Sequence, residues 1–239
     1  PSIAVDVEGG VQLAYYFEGD QVPVRRVIYQ RRLPGREFHG VALPLTNTLN
    51  KETGWWAQPP VAISIDENAV ASVAYFLAGP DHYLQAAYWK PGMPTAIRIA
   101  ETAQPTQSPE IQIAAGGARA NAIFRMAGED GAAATWLAGG ANGGEWAAPL
   151  RLPSNAAEGT VAVDVNASGD YAYAISGAPS FVLLRERAGI PVPLPLAAPD
   201  AHATQRISLA LDDERRLTLA YVDAQDGSLM IYRAALPWD

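Results

Sequence analysis

The chain of 239 residues contains no cysteine, only two lysines and three histidines. Without cysteine there is no disulfide, no thiolate nucleophile and no cysteine-ligated metal site. The three histidines are isolated in the sequence, so they offer neither a zinc-binding spacing nor a Ser–His arrangement for nucleophilic catalysis. The formal charge of −8 argues against nucleic acid as a partner, because phosphate binding depends on clustered Lys and Arg. We therefore expect no metal, no cofactor and no nucleic acid.

Long hydrophobic runs are also missing. No stretch approaches the ~20 apolar residues that span a bilayer, so the sequence predicts no transmembrane segment in this chain. It starts at Pro1 rather than at a methionine, which is compatible with removal of a targeting segment. The 49% of hydrophobic residues, with 21 glycines and 19 prolines, are typical of a well-packed protein made of many short strands and turns.

An internal repeat organises the sequence. Its first element alternates apolar with small or polar residues, which is typical of a β-strand. The five copies are "IAVD", "ISID", "IQIA", "VAVD" and "LALD", at residues 3–6, 63–66, 111–114, 161–164 and 209–212. A second and a third strand-like stretch follow each copy, and a weaker fourth follows the first four copies.

The spacing of the copies predicts the fold. By subtraction of residue numbers, successive copies begin 60, 48, 50 and 48 residues apart. A four-stranded unit of roughly 40–50 residues is typical of a propeller blade, which buries its faces only by stacking on neighbouring blades. We expect one all-β domain over 1–239, a five-bladed β-propeller of four-stranded antiparallel blades. The expected blades are approximately 1–58, 59–108, 109–157, 158–204 and 205–239.

The end of the repeat is irregular. Only seven residues follow Tyr232, too few for the fourth strand of a fifth blade. We therefore expect the last blade to be short or incomplete. An uncovered strand edge invites pairing with another chain, so the seam between the two ends is a candidate subunit interface.

An aspartate precedes a tyrosine by nine residues in four of the five copies. The pairs are Asp6/Tyr15, Asp66/Tyr75, Asp164/Tyr173 and Asp212/Tyr221. An aspartate at the end of a strand can accept hydrogen bonds from the amides of the turn that follows. A tyrosine on the second strand can bury its ring between blades. Because these residues recur in most copies, we interpret them as structural rather than catalytic.

The repeat resembles a known family. "SIAVDVEGGVQLAYYFEG" and "ISLALDDERRLTLAYVDAQDGSLMIY" are similar to the "SLAxDxxGxPHIAYYD…LxYA" repeats of bacterial secreted and surface propellers. Those repeats are loosely akin to Asp-box and sialidase-like propellers. The resemblance implies a ring-shaped module, often extracellular, and places this chain outside the cell, in the periplasm or at the cell surface.

Departures from the repeat indicate candidate binding residues, because the scaffold does not require them. The first interval is longer than the others, and the surplus falls in "TNTLNKETGWWAQPP" at 46–60. Its adjacent Trp55 and Trp56 can stack on a sugar ring or anchor a protein partner. His82 and Trp89 complete the candidate set. The alternative is that one tryptophan fills the groove between the first two blades and that His82 is an ordinary loop residue.

An enzymatic alternative is a five-bladed glycoside hydrolase, which needs two carboxylates across the scissile bond. The inner strands carry mostly small or neutral residues, and only Glu110 and Arg206 add charge near a strand start. The interior positions of these strands are Ala4, Ser64, Gln112, Ala162 and Ser208. Such a lining lacks an acid–base pair, so we predict no catalytic residue and no enzyme.

The sequence thus favours a non-catalytic binding or assembly module, and one role that it suggests is that of a subunit in a larger assembly. A protein partner would be engaged through a propeller face, the 46–60 loop or the terminal seam. A lectin-like, carbohydrate-binding propeller is the first alternative and a glycosidase the second. The sequence itself names neither the partner nor the sugar.

Overall fold

A computed structural model describes most of the chain. The described residues are 1–18, 25–43, 60–78, 84–104, 106, 109–152, 160–176, 182–187, 190–194, 207–223 and 225–235. Trp55, Trp56 and His82 lie outside these ranges, as do nearly all of the 46–60 loop and residues 236–239.

The described residues form five antiparallel sheets. The first contains β1 (Ser2–Val5), β2 (Val11–Glu18), β3 (Arg25–Arg32) and β4 (His39–Ala42). The second contains β5 (Val61–Ile65), β6 (Ala71–Ala78), β7 (Leu84–Trp89) and β8 (Ile97–Thr102). The third contains β9 (Glu110–Gly116), β10 (Arg119–Ala127), β11 (Ala133–Ala141) and β12 (Leu150–Arg151). The fourth contains β13 (Val161–Val165), β14 (Tyr171–Ile175), β15 (Val182–Arg187) and β16 (Ile190–Pro193).

The fifth sheet contains β17 (Ile207–Leu211), β18 (Arg216–Val222) and β19 (Leu229–Ala235). Within each sheet the strands follow chain order, so every neighbouring pair is a simple up-and-down connection. The predicted all-β, antiparallel architecture is confirmed: four sheets have four strands and the last has three described strands.

The hydrophobic core lies between sheets, and one cluster fills each junction of consecutive sheets. At the junction of the fourth and fifth sheets, alanines of the earlier sheet, such as Ala172 and Ala174, meet Leu217, Leu219 and Tyr221 of the later one. Small residues on one face and large ones on the next allow two twisted sheets to approach closely. Each sheet therefore depends on its neighbours for burial.

The same junctions satisfy the backbone of the inner strands. Strands β1, β5, β9, β13 and β17 lie at an edge of their sheets, which leaves outward amides without a partner in the sheet. At each of the four junctions a side chain of one inner strand accepts a hydrogen bond from a backbone N–H of the next. The pairs are Ser2 Oγ with Ile63 N (3.2 Å), Ser64 Oγ with Ala115 N (3.0 Å), Glu110 Oε2 with Val161 N (3.0 Å) and Asp164 Oδ2 with Leu211 N (2.8 Å).

Three of the repeat aspartates cap the turn after the inner strand. Asp6 Oδ1 accepts from the amide of Gly10 at 2.6 Å, and Asp66 Oδ1 from that of Val70 at 3.0 Å. Asp212 Oδ1 accepts from the amide of Arg216 at 2.7 Å. Each of these bonds joins a side chain to the amide four residues on, so it holds the whole turn in place.

The fourth copy departs from this expectation. Its turn is capped by Asn166, whose Oδ1 accepts from the amide of Asp170 at 2.9 Å. Asp164 lies two residues earlier, inside β13, where it holds the amide of Leu211. Asp164 and Tyr173 keep the nine-residue spacing, but both are displaced by two residues from the positions of Asp66 and Tyr75. The expected alignment of the fourth copy is therefore wrong by two residues. A shift of two leaves both side chains on the same face of their strands.

In all four capped turns, the third residue after the capping residue has a left-handed backbone conformation. Gly9 and Gly169 have φ of 79°, and the equivalent Ala69 and Arg215 have φ of 59° and 61°. Glycine adopts this conformation without steric cost, whereas other residues need support from the surrounding turn. The shared φ confirms that Asn166, rather than Asp164, aligns with the other three capping residues.

The tyrosines of the repeat lie on the second strands. Tyr75 and Tyr173 are fully buried and Tyr221 is nearly so, whereas Tyr15 in the first sheet is partly exposed. Tyr15 belongs to the first sheet, against which no preceding sheet packs among the described residues.

The junction bonds predict the effect of changing Asp164. Replacing it with alanine removes the acceptor of the Leu211 amide, and we expect a loss of about 1–3 kcal/mol in the free energy of unfolding. Asp164→Asn keeps an acceptor oxygen and should stay within about 1 kcal/mol of the wild type. Urea denaturation measures both changes. Glu214→Ala, which alters an exposed ion pair with Arg216, is the control and should have little effect. Equal stability of the alanine variant and this control would contradict the role of Asp164.

Candidate functional site

Trp89 is part of a junction. Its side chain is buried, with 4% exposure. Its Nε1 donates to the carbonyl oxygen of Met93 at 3.1 Å, and its ring lies 5.6 Å from that of Tyr29. It therefore presents no open ring face to a ligand. The other three candidates, Trp55, Trp56 and His82, lie outside the described residues.

A cleft of about 410 Å³ opens between the second and third sheets. One part of its wall is apolar and is formed by Met126, Trp136 and Pro149. The other part is polar and is formed by Glu101, Gln104 and Glu129. The acidic side chains are exposed, while Trp136 is half-buried. The cleft therefore combines one aromatic surface with several hydrogen-bonding groups at its rim.

The local sequence explains why the cleft exists. Ala100, Ala103, Ala127 and Gly128 line it with small side chains, which leaves space between β8 and β10. The indole of Trp136 is held because its Nε1 donates to a backbone carbonyl of β10 at 3.4 Å. The indole ring of Trp136 is thus held by the sheet and is not part of a loop.

Two contacts fix the polar wall. The amide of Ala127 donates to Thr106 Oγ1 at 3.0 Å, which ties the chain after β8 to the end of β10. The amide of Gly128 donates to the carbonyl of Ala132 at 2.8 Å and closes the turn that carries Glu129. These bonds hold in place the two backbone segments that carry the polar lining residues Gln104 and Glu129.

The lining chemistry selects a ligand class. No lysine, arginine or histidine is among the described residues that line the cleft. Carboxylates and an amide accept hydrogen bonds from hydroxyl groups, and an indole face packs on the C–H groups of a ring. The arrangement suits a neutral ligand rich in hydroxyl groups and disfavours an anion. Sequence reasoning missed Trp136, which lies inside β11, the third strand of its sheet.

A separate polar cluster lies inside the junction of the third and fourth sheets. Tyr173 Oη donates to Glu186 Oε2 at 2.9 Å, and Asn121 Nδ2 donates to Tyr173 Oη at 2.6 Å. Arg119 forms an ion pair with the same glutamate. Burial, together with the charge of Glu186, raises the pKa of Tyr173 well above its ordinary value. The phenol therefore stays protonated.

Two carboxylates on inner strands carry altered pKa values. Burial raises the pKa of Glu110 to about 7, against the opposing effects of its bond to the Val161 amide and of nearby Arg125. Burial also raises the pKa of Asp164. They serve different junctions, since Glu110 binds an amide of the fourth sheet and Asp164 one of the fifth. The sequence contains a signal for this placement of Asp164. When the turn after Asn166 is aligned with the turn after Asp6, Asp164 falls inside an inner strand.

Within the described part of the chain, no three His, Asp or Glu side chains are close enough to hold a metal ion. The acidic turn "DAQDG" at 223–227 uses its carboxylates to hold its own backbone. Asp223 Oδ1 accepts from the amide of Gln225 at 2.7 Å, and Asp226 Oδ1 accepts from that of Ser228 at 2.8 Å. The residues described include no helix of the length and apolar character that crossing a membrane requires.

Comparison with known proteins identifies the fold. No family model matches the sequence, and no curated protein matches it either. An α-L-arabinanase of Penicillium chrysogenum, solved with arabinobiose, is 11% identical with a TM-score of 0.58, over 97% of this chain and 76% of that one. A Hadza microbial sialidase is 13% identical with a TM-score of 0.59, over 98% of this chain and 55% of that one. A fungal lectin of Aleuria aurantia is 10% identical with a TM-score of 0.55, over 100% and 75%.

These similarities show that the chain has a β-propeller fold, related in architecture to sialidases and lectins. At such low identity they show the fold alone. The lectin is described as six-bladed, whereas this chain has five sheets in its described residues, so the expected number of blades stays a prediction. The particular bacterial repeat family has no supporting match.

The raised pKa of Glu110 predicts how stability varies with pH. The folded pKa of about 7 exceeds the ordinary value of 4.5, so unfolding releases a proton between these pH values. The free energy of unfolding should therefore fall as pH rises from about 4.5 to 7, by on the order of 1–3 kcal/mol from this group.

Urea denaturation of the wild type and of Glu110→Gln across this pH range measures the contribution. Glutamine still accepts from the Val161 amide but cannot ionise, so the fall should be smaller by that amount. Glu214→Gln, at an exposed site, should retain the wild-type dependence. Identical pH profiles for the wild type and Glu110→Gln would contradict the assignment.

Proposed function

We propose that this chain is a non-catalytic, carbohydrate-binding β-propeller and that the cleft beside Trp136 binds a neutral sugar. The observation that carries the proposal is the lining of the cleft. A half-buried indole faces a rim of Glu101, Gln104 and Glu129, and basic residues are absent from its described lining. Aromatic stacking with hydroxyl-accepting groups beside it is the usual chemistry of sugar recognition.

The structural neighbours support this direction at the level of fold. They include a lectin whose structure concerns fucose recognition, a sialidase and an arabinanase bound to arabinobiose. We infer that the five sheets are five blades of a single domain over 1–239, with the boundaries expected from the repeat. A location outside the cytoplasm, in keeping with the repeat family that the sequence resembles, is part of the same proposal.

Exposure of the cleft carboxylates argues for binding without cleavage. A glycosidase needs a carboxylic acid that burial keeps protonated, opposite a second carboxylate. Glu101 and Glu129 are both exposed, and Glu101 is already paired with Arg98 at 2.7 Å. The partly buried Glu110 already accepts a hydrogen bond from the backbone amide of Val161. These placements favour hydrogen bonding to hydroxyl groups over proton transfer.

A protein partner engaged through the 46–60 loop stays a separate proposal, since Trp55 and Trp56 lie outside the described residues. It is compatible with a sugar site between the second and third sheets, because the two surfaces use different residues.

Trp136→Ala should weaken sugar binding, because it removes the stacking surface. The test is a screen of neutral and acidic glycans, followed by calorimetric titration of the best ligand against wild type and variants. We expect neutral sugars among the ligands, at least about a tenfold weaker affinity for Trp136→Ala, and weaker binding for Glu129→Gln. Glu145→Gln, an exposed acid outside the cleft lining, is the matched control and should bind as the wild type does.

Two results would contradict the proposal. Unchanged affinity of Trp136→Ala for a glycan would move the site elsewhere. Release of new reducing ends from that glycan by the wild type, lost in Glu129→Gln, would make the chain an enzyme.

A further inference from the structure

The first sheet has a face of large apolar residues that no described part of the chain covers. This face, called the leading face, contains Ile3, Val5, Leu13, Tyr15 and Phe17, which alternate with residues that pack on the second sheet. Ile3 is 64% exposed, Val5 62% and Phe17 51%. Leu13 and Tyr15 are partly exposed. Scattered apolar residues are common at protein surfaces, but five on one sheet face form a contiguous patch.

The equivalent residues of later sheets are buried. In the second sheet, Ile63, Val73 and Tyr75 occupy the positions of Ile3, Leu13 and Tyr15 and are at most 9% exposed. In the fifth sheet, Leu219 and Tyr221 occupy the last two of these positions and are at most 4% exposed. The leading face therefore has the composition of a junction face.

The fifth sheet has the complementary face, called the trailing face. Near its inner edge it carries Ser208, Ala210, Thr218 and Ala220, which are exposed or partly exposed. In the fourth sheet, the equivalent Ala162, Ala172 and Ala174 are buried under the fifth sheet. Further out the trailing face carries three exposed apolar residues. They are Val222 (39%), Leu229 (68%) and Ile231 (61%).

These two faces do not cover each other. Inner strands of consecutive sheets pack side by side from β1 to β5, β9, β13 and β17. Among the described residues, β17 and β1 lack comparable packing. The four junction bonds likewise have no counterpart in the described residues for the amides of Ile3 and Val5, which are equivalent to those of Ile63 and Leu211. An open slot therefore lies between the leading face, which carries large side chains, and the trailing face, which carries small side chains near its inner edge.

We propose that this slot is an interaction site for one antiparallel β-sheet of a partner protein. That sheet carries an Ile, Leu or Tyr face against the trailing face and a face of Ala and Ser against the leading face. On its inner strand it also carries a Ser, Asp or Glu, whose oxygen accepts from the outward amide of Ile3 or Val5. The four junctions inside the chain supply the template for every one of these requirements.

A single inserted sheet covers both faces of the slot at once, which favours it over a second copy of this chain as the occupant. A second copy of this chain offers a leading face through its first sheet and a trailing face through its fifth. Each such contact fills only one wall of each copy, so two walls stay open unless the head-to-tail series closes into a ring. Direct contact of the first and fifth sheets would bury the faces that the structure leaves exposed.

The probe is a sheet of known composition from this chain. Residues 59–108, which contain the second sheet, are repeated after Asp239 through a flexible linker of glycine and serine. We expect a rise in Tm of about 5 °C or more, a single unfolding transition and reduced binding of a dye that reports exposed apolar surface. In the control fusion, Val73→Asp and Tyr75→Asp are placed in the appended copy alone. It should leave Tm and dye binding as in the unfused chain.

Three outcomes would overturn the proposal. An appended sheet that is digested by protease while Tm stays unchanged would show that the slot does not accept it. Concentration-dependent assembly of the unfused chain in light scattering would give the slot to a second copy. A disulfide that forms within the monomer of an Ile3→Cys, Ala210→Cys variant would show that the first and fifth sheets close on each other. A 25.4 kDa monomer that forms no such disulfide and binds the dye is the expected state.

Discussion

The free edge of each inner strand is the constraint on which this structure depends. An edge strand leaves half of its amides without a sheet partner, and such amides must find an acceptor when they are buried. Here the preceding sheet supplies one at every internal junction, from Ser2, Ser64, Glu110 and Asp164. The same junctions bury the apolar faces. One arrangement therefore provides both the hydrogen bonds and the core, so the sheets stabilise one another in succession.

Binding sites can form where neighbouring sheets do not cover each other. The cleft beside Trp136 lies where the second and third sheets separate beyond their shared core, and small residues keep it open. The slot between the fifth and first sheets is free for a different reason, since each wall matches a junction face but meets no other sheet in the described residues. A rigid sheet framework with a preformed cleft suits recognition, because little has to be ordered when a ligand binds.

The repeat predicted the strands and their antiparallel order well, because alternation of apolar residues reports directly which faces are buried. The spacing of Asp164 and Tyr173 was misleading, since a shift of two residues preserves both the spacing and the face. In the structure, the hydrogen bond of Asn166 and the positive φ of Gly169 reveal the correct register. The cleft was not predictable, because its lining comes from separate strands of two sheets. Trp89 looked like a ligand residue in the sequence, but it is buried in a junction. Its burial depends on side chains of a neighbouring sheet, which the local sequence does not show.

Amide hydrogen exchange of the native chain, resolved by residue, tests the central claim most directly. The amides of Ile63, Ala115, Val161 and Leu211, each held by the preceding sheet, should exchange slowly. Those of Ile3 and Val5 occupy equivalent positions on the open wall and should exchange at least about 100-fold faster. Equal protection at all six positions would show that the first sheet is covered like the others. Rapid exchange at the first four would show that the junction bonds do not hold the sheets together.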